Sequence, residues 1–418
     1  MKVVIVGAGI GGLGAGVALN RAGHDVEIYE ASSFLNEVGA AIHVAPNFSR
    51  ILKGWDCDLD TLLPVHCEAI NIYSPDLKVF PPLSTYKEGI EKFGFTDPWL
   101  MTHRVDLHNA LRSLAEKGYQ GRSVKIHLNS KVESVNAETG EVHLMDGRTV
   151  QGDLVVGADG AHSRSVQAVI STGREKVSTG QKVFRFLIPL EKAEKNPKVK
   201  KLLDKIGLNG LSAIGSTHKR LIIYPCRSGT LLNCAVLTHA TEADDLAGRE
   251  SSWLNPGSID NLMACVEEYD EGVQELCRMA EDLKLWSLMT RDPPPTFNKG
   301  KLALIGDAAH PMLPHQGQGG AQAIEDAAAL GALFAADTAP EQVSELLKIY
   351  NEARYRHAVT ICIFSRVTME RREEVLDDLR RFVPQATIEE NTPYALWNSY
   401  PGREVERLLA LRRSEKVA

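Results

Sequence analysis

A chain of 418 residues, 44% hydrophobic and 24% charged, has room for a large core and for more than one domain. Its formal net charge of −7, without a dense basic stripe, argues against a nucleic-acid partner. Seven cysteines, an odd number without C-x-x-C pairs, suit a reducing cytoplasmic setting, and no run of about 18 apolar residues offers a transmembrane segment.

Residues 2–6 form a short apolar run ending at glycine, as a buried parallel strand does. That strand starts at Lys2, so no signal peptide is expected. Residues 11–22 read as a helix with an unusual density of small residues: Gly12, Gly14, Ala15 and Gly16. Glycine costs up to ~1 kcal/mol relative to alanine inside a helix, so the pattern predicts a helix pressed tightly on a sheet. Gly23-His24 turns the chain into a second strand at 26–30, completing a β-α-β unit. Gly7, Gly9 and Gly12 match G-x-G-x-x-G in that context. The first permits the turn, the second lets a diphosphate approach the backbone, and the third allows close packing. Glu30, 23 residues after Gly7, stands where a carboxylate accepts hydrogen bonds from an adenosine ribose. NAD and FAD both use such a cradle.

Further along, 104–117 is a predicted helix, and 124–128, 131–135 and 141–144 read as strands joined by turns. Residues 182–190, 220–225 and 230–238 look like antiparallel strands, followed by helical patterns near 258–283. Arg291-Asp292-Pro293-Pro294-Pro295 breaks the chain before another buried-strand candidate at 301–306. Residues 321–336 are alanine-rich and helical, and Val343, Leu346, Leu347 and Tyr350 mark a further amphipathic helix. Asp307 ends its strand just before a loop, where a carboxylate can hold a polyol, or can simply cap a turn. Gly317, Gly319 and Gly320 then open the helix, whose first amides would favour an anionic ligand edge.

Four blocks together resemble the single-component FAD-dependent aromatic hydroxylases, in particular their salicylate-hydroxylase-like branch, which includes fungal secondary-metabolite monooxygenases. They are the N-terminal cradle, Thr102-His103-Arg104-Val105-Asp106-Leu107, Gly157-Ala158-Asp159-Gly160, and Gly306-Asp307-Ala308-Ala309-His310-Pro311 with Gly317-Gln318-Gly319-Gly320. The resemblance implies an α/β fold with α+β elements. A Rossmann-like FAD-binding domain (1–72, 101–175 and 293–365) would interleave with an antiparallel-sheet substrate domain (73–100 and 176–292), and 366–418 would form a C-terminal helical segment. It implies FAD contacts from Gly9, Gly12, Glu30, Ala41, Arg104, Val132, Asp159, Asp307, Gly319 and Gly320, with Pro314 and His315 beside the flavin ring. It further implies that NADPH or NADH visits without a Rossmann domain of its own. O2 then forms a flavin C4a-hydroperoxide that hydroxylates a small aromatic substrate. Arg185 and Tyr224, on period-2 stretches, are the expected substrate-binding and activating residues.

No metal is expected, since His310 and His315 lack helical ligand spacing. Met312, Trp253 and Trp286 are expected in the core, and 195–205 as a solvated basic face. A monomer or homodimer is expected. Two alternatives stay open: an epoxidase of an indole or alkene, and a non-catalytic FAD-binding protein.

Overall fold

The computed structural model describes residues 1–33, 39–170, 177–216, 218–239, 255–388 and 392–417. Trp253 and the expected segment limit at 175 lie outside them.

The first sheet has six strands in the order β18-β19-β12-β1-β2-β8. They are β1 (Lys2–Val6), β2 (Asp25–Tyr29), β8 (Lys125–His127), β12 (Leu154–Gly157), β18 (Asn298–Lys299) and β19 (Leu302–Leu304). All pairings are parallel except the β18–β19 hairpin. The three central strands are almost entirely buried because both sheet faces are covered, which is why they read as continuous apolar runs rather than alternating ones. The sheet thus joins the N-terminal strand to segments near residues 155 and 300.

The glycine-rich helix is Ile10–Arg21, and its small residues meet three different neighbours. A Cβ on Gly12 would fall 2.0 Å from the Gly7 carbonyl oxygen, one on Gly14 2.5 Å from Ile324, and one on Gly16 3.0 Å from Ile28 of β2. The helix is therefore wedged between its own turn, the sheet and the Gly319–Leu333 helix, not against the sheet alone.

The second large sheet has seven strands in the order β17-β13-β16-β15-β14-β5-β6. They are β5 (Ala69–Tyr73), β6 (Val79–Thr85), β13 (Val177–Pro189), β14 (Leu211–Gly215), β15 (Arg220–Cys226), β16 (Leu231–His239) and β17 (Glu281–Thr290). One face carries Phe184, Phe186, Ile188, Ile223, Cys234 and Val236, buried against Val199, Leu202 and Leu276 of helices Pro197–Ile206 and Glu271–Arg278. The other face looks toward the first domain. The helical pattern expected through 283 is corrected here, because β17 begins at Glu281. Its charged start, with Asp282 at φ 48°, hides the alternation. Two small sheets complete the fold. One is the meander β9 (Val132–Asn136), β10 (Glu141–Leu144) and β11 (Thr149–Gln151). The other is β3 (Ala41–Val44), β7 (Leu100–His103) and β4 (Val65–His66), with β7 in the middle.

Beneath the Gly319–Leu333 helix lies a buried ionic cluster. Arg354, on the Val343–Phe364 helix, donates to Asp326 (2.8 Å), Glu325 (2.8 Å) and Gln322 (2.7 Å). Asp326 also accepts from the Gly306 amide (2.9 Å) and from His310 Nε2 (2.6 Å). Burial alone would raise the Glu325 carboxyl, but Arg354, His357 and Asn47 bring it down to about 2. Among the described residues no helix is long and apolar enough to cross a membrane.

Arg354→Met should leave two buried carboxylates uncompensated and destabilise the fold by about 3–5 kcal/mol in urea unfolding. Because Glu325 is depressed in the folded state, its stabilisation is present above its ordinary value of 4.5 and lost as pH falls toward about 2. The Arg354→Met variant should show a flatter loss of stability across that window.

Candidate active site

The two large sheets enclose a cavity of about 910 Å³ lined by Gly9, Ala41, Arg104, Asp159, Asp307, the 311–320 segment and the inner face of the seven-stranded sheet. Each sequence-predicted residue can be placed relative to it.

At one end stands the cradle. Gly7 has φ 94°, and a Cβ there would lie 2.7 Å from the Ala158 carbonyl oxygen. Gly9 is the N-cap of the first helix, without a side-chain cap, and a Cβ on it would meet nothing within 4 Å. Its first-turn amides therefore open onto the cavity. The Glu30 carboxylate accepts from the amides of Ala8 (2.7 Å) and Ser32 (2.8 Å), which fixes it beside the cradle. Ser130 donates its amide to the Glu30 carbonyl (2.7 Å), so the turn leading to Val132 runs alongside. Val132 itself is buried and outside the cavity lining.

Arg104 starts its helix directly after β7, and its amide donates to Ala40 (2.9 Å), tying it to the strand of Ala41. The Ala41 amide donates to Asn233 Oδ1 of β16 (3.1 Å), a bond that joins the two domains across the cavity. Asp159 lines the cavity while its carboxylate closes its own loop, accepting from Ser163 Oγ (2.7 Å) and the amides of Arg164 (2.7 Å) and Ser165 (3.0 Å). It shapes that loop as well as facing the cavity.

Asp307 follows β19 on a turn held by Asp326 through the Gly306 amide and by Arg291, which donates to the carbonyls of Asp307 (3.2 Å) and Ala308 (2.7 Å). Its position in the cavity wall raises the carboxyl, and the charges of His310, Arg104 and Arg291 pull it part of the way back. His310 lies in the buried cluster rather than in the cavity. Pro314 and His315 form a short 3-10 turn. Leu313 is anchored by Ser365 Oγ (3.0 Å), and His315 Nε2 donates to Gln181 of β13 (2.7 Å). Burial, with Arg220 and Arg371, pushes His315 down to about 4, so its ring is neutral near pH 7. The helix opening at Gly319 again lacks a side-chain cap. Two uncapped helix starts thus face one elongated cavity, a donor arrangement that fits both the pyrophosphate and the flavin edge of FAD.

The opposite wall follows from strand register. Arg185, Ala235 and Ile222 form one rung across β13, β16 and β15, and Leu187, Asn233 and Tyr224 form the next. Period 2 turns all six toward the cavity. Arg185 and Tyr224 therefore converge across the small Ala235. The Arg185 guanidinium also lies 5.3 Å from the Trp286 ring centroid. Burial raises the Tyr224 phenol despite the pull of Arg185, and burial lowers Arg185. Met312 and Trp286, expected in the core, line the cavity instead. Trp286 sits on the strand hidden from the sequence pattern, and Met312 on a loop with no periodicity.

Sequence reading missed Asn233, Arg291, His43 and His108, whose Nε2 donates to the Ala8 carbonyl in the cradle (2.8 Å). The only local trace of any of them was period-2 exposure of Asn233 on a predicted strand. Among the described residues no group of three or more His, Cys, Asp or Glu could hold a metal ion.

A family model described as a FAD binding domain matches residues 96–365, and one for an NAD(P)-binding Rossmann-like domain matches residues 5–42. The FAD-dependent monooxygenase cfoG of Aspergillus candidus is 34% identical, covering 94% of this chain and 90% of that protein. Hispidin-3-hydroxylase of Neonothopanus nambi is 33% identical, covering 85% of each. A salicylate hydroxylase–substrate complex superimposes with a TM-score of 0.76 at 20% identity, covering 98% of this chain and 97% of that one, which shows the same fold.

The glycines provide a direct test. Gly9→Ala meets open space, so the melting temperature should stay near that of the parent while FAD affinity falls at least tenfold in a fluorescence titration. Gly12→Ala, whose Cβ would collide with the Gly7 carbonyl, should lose stability as well.

Proposed function

This chain belongs to the FAD-dependent monooxygenases, with FAD as cofactor and NAD(P)H as reductant, and on that premise we propose that it hydroxylates a phenolic or other small aromatic molecule. The observation that carries the reading is the placement of Arg185 and Tyr224, which interact electrostatically across β16, in the lining of the same cavity as the uncapped start of the Gly319–Leu333 helix.

Bound FAD would supply the redox chemistry, two-electron reduction by NAD(P)H and activation of O2, with one oxygen atom entering the product and the other leaving as water. In the proposed assignment Gly9 and Gly12 admit the pyrophosphate, Glu30 and the backbone at Val132, whose side chain is buried, would border the adenosine end, and Arg104 and Asp159 flank the middle. Asp307 holds the ribityl chain. Ala41, Gly319 and Gly320 hold the flavin, with Pro314 and His315 beside its ring. The protein's remaining task is to present an electron-rich ring.

Arg185, a cation in a largely dry wall, binds an ionised substrate oxygen and favours its ionisation. Tyr224, whose phenol is raised by burial, stays protonated near neutral pH and donates to the same oxygen or relays its proton. Ile222 and Ala235 make the wall between these polar groups apolar, and Leu211 of β14 continues it beyond Tyr224, which excludes water from the reacting edge. Hydroxylase relatives, including 3-hydroxybenzoate 6-hydroxylase 1 of Aquipseudomonas alcaligenes, support hydroxylation as the reaction class. An indole or alkene epoxidase would share the cofactor residues. The buried cation favours the phenolic reading, because it attracts an ionisable oxygen and gains little from a neutral alkene.

A screen of phenols, salicylates and indoles for stimulated NAD(P)H oxidation, with mass analysis of products, should find a phenol that gains one oxygen atom. Arg185→Ala should raise KM for it about 10- to 100-fold, the equivalent of ~1.5–3 kcal/mol for a charge-assisted hydrogen bond. Tyr224→Phe should lower product formed per NAD(P)H oxidised. Intact hydroxylation and coupling in both variants would refute their assignment.

A further inference from the structure

One side chain touches the flavin-facing loop from behind and has both ring nitrogens accounted for. His43, on β3, lines the cavity; its Nε2 lies 2.6 Å from the Gly317 carbonyl oxygen, and its Nδ1 lies 3.0 Å from Trp99 Nε1. An indole N–H can only donate, so Nδ1 must carry the lone pair and Nε2 the proton. Protonating Nδ1 would set two N–H groups against each other. The ring is thereby locked as one neutral tautomer that donates to Gly317.

The loop is shaped to receive that bond. Gly317 has φ 60°, and a Cβ on it would lie 2.1 Å from His43 Nε2, so glycine is required there for two reasons. Two residues later the Gly319–Leu333 helix begins, with no side-chain cap on its first amides. A Cβ on Gly320 would come within 2.9 Å of Ile42, the neighbour of His43, so strand and helix start are in close contact. Trp99 is itself fixed: it is buried, and its ring centroid is 4.6 Å from that of Trp397 in the C-terminal segment.

We infer that the Trp99–His43 pair is a positioning device. It holds the Gly317 carbonyl so that the first amides of the Gly319–Leu333 helix point at the flavin, and it thereby favours the reduced, anionic cofactor over the oxidised one. Hydrogen-bond donors aimed in advance at developing charge are the general form of such stabilisation. The effect acts on the cofactor and holds whichever substrate is used. Burial, which lowers the His43 pKa, keeps the ring in the same neutral state.

The test uses the FAD-loaded enzyme without substrate and reads the two-electron midpoint potential and the visible flavin spectrum. His43→Leu should reduce the preference for reduced flavin about tenfold, which corresponds to a potential lower by about 30 mV. His43→Gln, whose amide can still donate to Gly317, should recover most of that shift. Trp99→Phe frees the tautomer and should give a smaller shift in the same direction. If His43→Leu does not fold or does not retain FAD, the other two variants decide. A parental potential in Trp99→Phe, or a potential in His43→Gln no closer to the parent than that of Trp99→Phe, would overturn the inference. A merely structural role would lower thermal stability in these variants and leave the potential unmoved.

Discussion

The buried ion cluster around Arg354 is the constraint on which the cofactor end of the molecule depends. Its guanidinium reaches three side chains of the Gly319–Leu333 helix, and one of them, Asp326, extends the hold to the Gly306 amide and to His310. The turn that presents Asp307 is therefore set by charges placed on two other helices. Desolvating such groups is costly. The arrangement is tolerable because Arg354 meets both carboxylates in charge-assisted hydrogen bonds and Asp326 accepts further bonds from His310 and the Gly306 amide. Loss of one member would leave the others uncompensated. That asymmetry makes the cluster a strong specifier of local geometry even where its net contribution to stability is modest.

Around this anchor the cavity is made of two unlike walls. The cofactor wall is mostly backbone: turns at Gly7 and Gly306 with positive φ, two uncapped helix starts, and carboxylates held by amides. The opposite wall is mostly side chain, set in rungs across antiparallel strands whose far face is sealed by helices. The Ala41–Asn233 bond spans the two, so the position of β3 and the position of the neighbouring Arg185 rung are not independent. A change on β16 is thus expected to be felt on both sides.

The cofactor wall was legible in advance because each of its parts is local. A glycine pattern between a strand and a helix, or an acid ending a strand before a glycine-rich loop, carries its physical reason within about twenty residues. Gly9, Arg104, Asp159 and Asp307, far apart in the chain, line one cavity. Arg185 and Tyr224 were reachable through strand periodicity combined with family resemblance. Their convergence was not, since it depends on β16 lying between β13 and β15 and on the small Ala235 at the crossing. The strand at Glu281–Thr290 escaped for a different reason: its first residues are charged and irregular, so tertiary pairing with β13 overrides the local pattern.

By itself, then, the sequence determined the β-α-β dinucleotide cradle, because that follows from short-range backbone requirements that only certain residues meet, and the resemblance of its four blocks to a known family added the fold class, the cofactor and the family. The tertiary structure decided which histidines, arginines and tryptophans matter. His43 meets Gly317 across 274 positions, and Arg291 meets Ala308 only because β19 brings the turn to it. Hydrogen bonds and ion pairs between distant residues leave no spacing to read, and their energies depend on a burial that exists only once the two sheets have closed on the cavity.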